Sequence, residues 1–255
     1  MYYKGKAAAR LWRMGLAPVA LLATMALGGV GCGVGAGHFP GPPEYIERTV
    51  APDVLAAWFA PELWLNPSEP FELVTVVPVL HPSKPLIAYH MFFEEDALLA
   101  GRGRDLDHEV MWVEYDPVTL KIDDVLTLWH RTVLRTDLCA LDGRLRGQHP
   151  RICVQWGQHG LLPFGWEGLL SARPRLELLF HYEIATYLNR IPRASRMKPT
   201  VVFRGSYDDY VTFTRMVDTS SYISAVDAIV VEYCESELEK IIDRSFLHKK
   251  QWPDW

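Results

Sequence analysis

The stretch Leu86–Trp166 decides the fold; it contains LIAYHMFFEED (86–96), GRGRDLDHEVMWVEY (101–115) and RICVQWGQHGLLPFGW (151–166). Short apolar, β-branched and aromatic runs alternate here with Gly-containing loops, a pattern typical of neighbouring β-strands. Leu86–Phe93 indicates a buried strand, and so does Leu73–Leu80 before it. We therefore predict a mainly β fold with flanking helices (α+β): an antiparallel β-sandwich with its helices packed outside.

Acidic residues stand where two of these strands end or begin. Asp96 follows the strand Leu86–Phe93, while Asp107 and Glu109 open the next strand. Because side chains alternate along a strand, Asp107 and Glu109 share one face and His108 lies on the other. Two carboxylates on one face repel each other unless a cation lies between them. The other interpretation is that this face is solvated at the beginning of the strand.

Two histidines are candidate partners of these acids. His130 lies in a predicted strand over Asp124–Leu134, and His159 lies in a turn that Gly157 and Gly160 predict. A lone histidine among apolar residues is ordinarily a packed core residue. Carboxylates with imidazoles and without thiolates favour a hard cation, Mg²⁺ or Ca²⁺ ahead of Mn²⁺ or Zn²⁺. The predicted divalent-cation ligands are Asp96, Asp107, Glu109, His130 and His159.

The order of these motifs resembles a known family. A Tyr-containing strand runs into Asp96, a Gly-rich loop leads to Asp107-His108-Glu109, and His130, His149-Pro150 and His159-Gly160 follow. Over residues 86–166 this is similar to the necrosis-inducing toxin-like proteins and the related vacuolar protein sorting 62-like domains. The resemblance implies a secreted β-sandwich that holds a divalent cation in an acidic cavity and recognises lipid headgroups. It also implies the same five ligands.

The chain departs from that family at its heptad, Gly-His-Arg-His-Asp-Trp-Glu. The corresponding residues here are GRDLDHE, from Gly103 to Glu109, so both family histidines are replaced and His108 stands at the position of Trp. We place His108 and Arg104 beside the ligands and not among them.

The first residues resemble an export signal. Four basic residues precede an apolar run over Leu16–Val30, and the sequence LGGVGC then ends at Cys32. This is similar to a bacterial lipobox, which predicts a lipoprotein-type signal peptide over 1–31 and lipidation of Cys32. Ordinary secretory cleavage nearby and a short anchor helix are the alternatives. Residues 32–50 form a predicted Gly- and Pro-rich tether, and residues 51–255 a single globular domain.

Charge and cysteine usage agree with a lipid-anchored location in the bacterial cell envelope. Without residues 1–31 the chain has 22 basic and 31 acidic residues, so its formal net charge falls from -5 to -9. That acidity argues against a nucleic-acid partner. In an oxidising compartment Cys139 and Cys153 could bridge the polar loop between them.

Four weaker patterns complete the prediction for the domain. Residues 51–65 indicate a short helix and a turn, residues 169–190 a helix broken near Pro174, residues 201–217 a hairpin, and residues 221–246 a last helix. The aromatic tail, residues 251–255, is expected to dock on the domain.

These features favour an exported lipoprotein domain whose divalent-cation site binds a lipid headgroup or a glycan. The first alternative is a metal-dependent hydrolase of envelope lipids or sugars, and the second is a metal-free structural protein of the envelope. The sequence carries no Gly-x-Ser-x-Gly, HExxH or Walker motif, and no general base beyond the predicted ligands.

Overall fold

A computed structural model describes residues 50–97, 106–135, 149–168, 173–187, 201–223, 228–230, 249 and 251–253. The predicted signal peptide, nearly all of the tether, Cys32, Arg104 and Cys139 lie outside these residues. Cys153 is described; it is a buried, free thiol. Because Cys139 is not described, the predicted disulfide stays a prediction.

The described elements are short, and strands predominate. The strands are β1 (Glu62–Leu65), β2 (Leu73–Leu80), β3 (Leu86–Phe93), β4 (Asp107–Tyr115), β5 (Ile122–Trp129), β6 (Thr132–Arg135), β7 (Arg151–Val154), β8 (Leu161–Pro163), β9 (Arg215–Asp218) and β10 (Ile229–Val230). The helices are α1 (Pro52–Trp58), α2 (Arg173–Tyr187), α3 (Tyr207–Tyr210) and α4 (Ser220–Ile223), and a 3₁₀ turn spans Trp166–Gly168.

The strands form two mixed sheets. One has six strands in the order β10-β2-β3-β4-β5-β6, and the other has four in the order β8-β7-β1-β9. The predicted purely antiparallel arrangement is wrong at two places, because β1 pairs with β7 and β10 pairs with β2 in parallel. Both parallel partners are far apart in the sequence, which leaves room for the long crossover that parallel pairing needs. The mainly β, α+β class is confirmed, and the face-to-face sandwich stays a prediction.

The two central strands are buried on both faces, which places the acids of β4. Every residue of β3 is buried, and in β4 only Glu114 is partly exposed. Met111, Val113 and Tyr115 contribute to a core that also contains Leu63 of β1 and Ile152 of β7, so it joins both sheets. By alternation Asp107 and Glu109 lie on this same face of β4. Val110 and Trp112 pack in a separate core on the opposite face, where His108 lies.

Two sequence predictions place a boundary wrongly. The short helix predicted in residues 51–65 is confirmed as α1, but residues 62–65 form β1 and not a turn; Pro61, which cannot continue a helix, lies between the two elements. The predicted strand Asp124–Leu134 is two strands, β5 and β6, joined by a turn at His130 and Arg131. His130 has φ of 52°, which ends the extended conformation there.

The later predictions are also only partly right. Residues 201–217 contain α3 and not a hairpin, and Ser206 caps that helix by accepting a hydrogen bond from the Asp209 N–H. The predicted helix over 221–246 is wrong at Ile229 and Val230, which form β10; residues 231–248 lie outside the described residues. The helix predicted over 169–190 is confirmed over Arg173–Tyr187, as α2, where Pro174 stands in the first turn, which tolerates a missing N–H, and not at a break; residues 169–172 and 188–190 lie outside the described residues.

The tail docks as predicted. Trp252 packs against the core that lies behind β3 and β4, with its ring 4.8 Å from that of His81. Within the described part of the chain, none of the helices has the length and apolar character that a membrane crossing requires.

Candidate functional site

The centre of the site is a buried histidine between two carboxylates. His159 Nδ1 lies 2.8 Å from Asp107 Oδ2, and His159 Nε2 lies 3.3 Å from Glu69 Oε1. The ring is fully buried and stacks on Phe93, with centroids 3.9 Å apart and planes 3° from parallel. Phe93 of β3 is the register partner of Asp107, so the sheet itself brings ring and acid together.

The two acids keep this imidazole charged. Burial alone would lower the pKa of His159, but the charge of Glu69 and the hydrogen bond to Asp107 raise it to about 10. Burial would raise the pKa of Asp107, yet the hydrogen bond and charge of His159 hold it below its usual value. Both ring nitrogens therefore donate a proton to a carboxylate at neutral pH.

A tight turn positions His159. The His159 N–H donates to the Gln155 carbonyl and the Gln155 N–H to the Gly160 carbonyl, each at 3.0 Å. His159 has φ of 56° and Gly157 has φ of 68°, so the turn passes twice through the left-handed region. Glu69 stabilises this turn, because its Oε2 accepts a hydrogen bond from the Gly157 N–H at 2.7 Å. The sequence prediction of a turn that re-aims His159 is confirmed.

Gly160 has no room for a side chain. A Cβ at this position would lie 2.7 Å from Trp129 Cζ3 and 2.9 Å from Gln155 Oε1. We expect Gly160→Ala to lower the free energy of unfolding by about 1–3 kcal/mol, because the buried indole must shift. Gly168→Ala is the control, because a Cβ there meets nothing within 4 Å. Urea denaturation followed by tryptophan fluorescence measures both, and equal stabilities would show that the turn is not packed in this way.

The second acid of β4 is paired with a lysine. Glu109 Oε1 lies 2.8 Å from Lys249 Nζ, and the same ammonium donates to the His108 carbonyl. Burial raises the pKa of Glu109 to about 7, and the charge of Lys249 opposes that rise. We call Glu69, Asp107, Glu109, His159 and Lys249 the charge network.

His108 lies on the opposite face of β4, as predicted. Its Nε2 lies 2.8 Å from His90 Nδ1, and its ring stacks on Phe92 with centroids 4.8 Å apart. Burial, followed by the charge of Lys249, lowers the pKa of His90 to about 3, so His90 is neutral at physiological pH. This pair is a structural element behind the charge network.

His130 belongs to a neighbouring cluster. Its Nε2 lies 3.0 Å from Gln155 Oε1, and its ring stacks on His181 of α2 with centroids 4.3 Å apart. Burial lowers the pKa of His130, and burial with the charge of His130 lowers that of His181 to about 4. Gln155 also donates to the Tyr210 hydroxyl at 2.9 Å, so it connects this cluster to α3.

Asp96 lies near Tyr210. The pKa of Tyr210 is raised mainly by burial, with further contributions from the charges of Glu69 and Asp96. Of the five predicted ligands, Asp107 and His159 are in direct contact. Glu109 lies beside Asp107 on the same face, and the charge of Asp107 helps to raise its pKa.

The donor set does not match what a divalent cation needs. Both nitrogens of His159 are engaged as donors to carboxylates, so neither offers a lone pair, and Glu109 faces an ammonium. In the part of the chain that the structure describes, no group of three or more His, Cys, Asp or Glu side chains is arranged to hold a metal ion. These contacts do not support the Mg²⁺ or Ca²⁺ site, which stays a prediction from the sequence.

Glu69 and Lys249 belong to the charge network but were not predicted from the sequence. Glu69 stands between two prolines in NPSEP (66–70), where an acid in a rigid turn beside the apolar Phe71 was an available signal. Lys249 lies more than a hundred residues from its partners, and nothing in its neighbourhood distinguishes it from a surface lysine.

Comparison with known proteins adds little. No family model and no curated protein matches the chain. Two solved structures of NLPPya, in complex with glucosamine and with mannosamine, match it at a TM-score of 0.36. They are 19% and 16% identical, and the matches cover 49% and 48% of this chain and 71% of theirs. This is a remote likeness to a necrosis-inducing-like protein, and it assigns neither fold nor function.

Proposed function

We propose that this chain is an exported, membrane-tethered β-sandwich domain of the cell envelope that folds and works without a bound metal ion. In this proposal the charge network is a structural element that neutralises the acids of β4. The observation that supports it is the set of three pairings: His159 with Asp107, His159 with Glu69, and Lys249 with Glu109.

The charges of the network nearly balance. An isolated buried charge is very unfavourable, so buried acids need a partner or must take up a proton. The three carboxylates face one imidazolium and one ammonium. One negative charge is left over. Because the pKa of Glu109 is raised to about 7, this side chain is partly protonated near neutral pH, and the proton neutralises much of that excess charge. In this proposal the positive charge that stabilises Asp107 and Glu109 on one face of β4 comes from His159 and Lys249.

The pairings also connect distant parts of the chain. Glu69 precedes β2, His159 lies between β7 and β8, and Lys249 comes near the C-terminus. Breaking one partner of a buried pair is strongly destabilising, whereas the intact pair adds little net stability. This asymmetry favours the native arrangement of these segments over alternatives that would leave an acid unpaired.

Metal analysis tests the proposal. We expect purified protein, after dialysis against Mg²⁺ and Ca²⁺, to retain much less than one equivalent of either ion. Its melting temperature should be the same with EDTA and with millimolar Ca²⁺, because a ligand stabilises only the state that binds it. A stoichiometric metal whose removal lowers the melting temperature would overturn the proposal.

The second candidate is the binding of a lipid headgroup or a glycan with the help of a divalent cation. The observation that favours it is that three buried carboxylates lie close together: Glu69 and Asp107 both contact His159, and the charge of Asp107 acts on Glu109. Asp107→Asn with Glu109→Gln separates the candidates. Under the second candidate this variant loses both metal and ligand binding, and metal-dependent turnover of phosphodiester or glycoside probes would indicate a hydrolase.

A further inference from the structure

Lys249 is buried in the domain although it belongs to neither of the described sheets. Its residue is 4% exposed, and lysines are almost never fully buried unless they are paired. Among the described residues, the two sheets are built from β1 to β10, which ends at Val230, so Lys249 comes from a later part of the chain. We call residues 249 and 251–253 the Lys249 strap.

Two side chains connect the Lys249 strap to the domain. The Lys249 ammonium donates to Glu109 Oε1 at 2.8 Å and to the His108 carbonyl. Trp252 packs on the core behind β3 and β4, with its ring 4.8 Å from that of His81. Gln251, between these two attachments, is exposed. The strap is therefore attached through side chains on either side of an exposed residue.

The two oxygens that Lys249 contacts are suited to a primary ammonium group. One belongs to a carboxylate and the other to a backbone carbonyl of the same strand, and both accept N–H groups. Glu109 is 6% exposed, and a charge-assisted hydrogen bond is stronger where water is excluded. A quaternary ammonium carries the same charge but has no N–H to donate, so this position should discriminate against it.

The energetics of a buried ion pair favour exchange of its cationic partner. An intact buried pair adds little net stability, and the cost of breaking it comes mainly from the charge that is left unpaired. If a second ammonium replaces Lys249, Glu109 keeps a partner and this cost is avoided. Lys249 regains its hydration in water, so the exchange then costs the remaining contacts of the strap.

We propose that Glu109 and the His108 carbonyl form a binding site for a small molecule with a primary ammonium group on an unbranched chain, and that Lys249 closes this site until such a ligand displaces the strap. The inference rests on the Lys249–Glu109 pairing of the proposed function. It adds a ligand of stated chemistry and a segment that controls access to the site.

Chemical rescue of Lys249→Ala tests the site. The substitution removes the ammonium and three methylene groups, which n-propylammonium chloride can replace in the cavity. We expect this salt to raise the melting temperature of the variant saturably and to recover much of the loss, because a ligand stabilises the state that binds it. Tetramethylammonium chloride at the same concentration should not do so. Lys121→Ala, at an exposed lysine, is the matched control and should respond to neither salt.

Hydrogen exchange in the wild-type protein tests the displacement. We expect n-propylammonium to raise the exchange rate of amides in a peptide over residues 249–253 several-fold and to leave a peptide from β3 unchanged. Tetramethylammonium should have no such effect. Trp252→Ala should raise the rate without any amine and lower the n-propylammonium concentration needed, because it removes the other attachment of the strap.

Three results would overturn the proposal. They are the absence of rescue by n-propylammonium, equal rescue by tetramethylammonium or rescue by Mg²⁺ or Ca²⁺ alone, and an exchange rate over residues 249–253 that n-propylammonium does not change in the wild type. The exchange experiment uses the wild-type protein, so it decides even if Lys249→Ala does not fold. The metal-free proposal is tested by the melting temperature with EDTA and Ca²⁺, and the two can fail independently.

Discussion

Replacing Lys249 with Met is expected to lower the free energy of unfolding by about 3 kcal/mol at pH 8, as expected for removing one partner of a buried ion pair. At this pH Glu109, whose pKa is about 7 beside Lys249, is largely ionised in the wild type; without the ammonium that lowers its pKa, the buried carboxylate must either stay charged without a partner or take up a proton, and both cost free energy. At pH 5 Glu109 is protonated with or without Lys249, so the loss should be smaller by about 1 kcal/mol or more. Urea denaturation at the two pH values measures both effects.

Two further variants show whether the effect belongs to the pair. Adding Glu109→Gln to Lys249→Met removes the stranded charge, so the double variant should recover much of the lost stability. Lys121→Met, at an exposed lysine, should change stability by no more than about 0.5 kcal/mol. If Lys249→Met were as mild as Lys121→Met, Lys249 would not be the partner of Glu109.

The stability of the wild-type protein is expected to fall as the pH rises from about 6.5 to about 10. The folded-state pKa of His159, about 10, lies above its ordinary value of 6.5. Its contribution is therefore fully present below pH 6.5 and is lost as the pH approaches 10, by at most about 5 kcal/mol. Denaturation curves across this range measure the slope.

His159→Gln should remove most of that slope, because glutamine does not titrate. It should also be less stable at pH 6, since it leaves Asp107 and Glu69 without an imidazolium. His181→Gln is the matched control: the pKa of His181 is about 4, so this histidine titrates below the window and its loss should leave the slope unchanged. A wild-type stability that is flat from pH 6.5 to 10 would contradict the charged state of His159.

The central strands could be predicted from the sequence because the residues that end them are distinctive. β2 and β3 have the predicted bounds, since each is a mostly apolar run with polar residues or proline on either side. Asp107 and Glu109 on one face of β4, with His108 on the other, follow from alternation alone. The turn at His159 could be predicted because Gly157 and Gly160 flank it.

The pairing of distant strands could not be predicted in the same way. Whether β1 pairs with β7 in parallel depends on the crossover between them, and no residue of either strand encodes it. The break at His130 was not predicted because a left-handed conformation is uncommon at any residue other than Gly, so a single His within an apolar run does not indicate one.

The sequence could not show which cation neutralises Asp107 and Glu109, and the reason is physical. Alternation predicts that Asp107 and Glu109 need positive charge, but a metal ion, an imidazolium and an ammonium satisfy that need equally well. Only the contacts of His159 and Lys249 distinguish these possibilities, and they join residues 52 and 140 positions apart. Long-range pairs between single charged residues leave no periodic pattern in the chain.

The protonation state of His159 tests the central claim most directly. In protein labelled with ¹⁵N-histidine, with the resonances of His159 assigned through His159→Gln, we expect both ring nitrogens to be protonated at pH 8. They should titrate near pH 10 and should not respond to Mg²⁺ or Ca²⁺. A neutral ring at pH 8 with one bare nitrogen, or a shift of that nitrogen on adding either ion, would contradict the account.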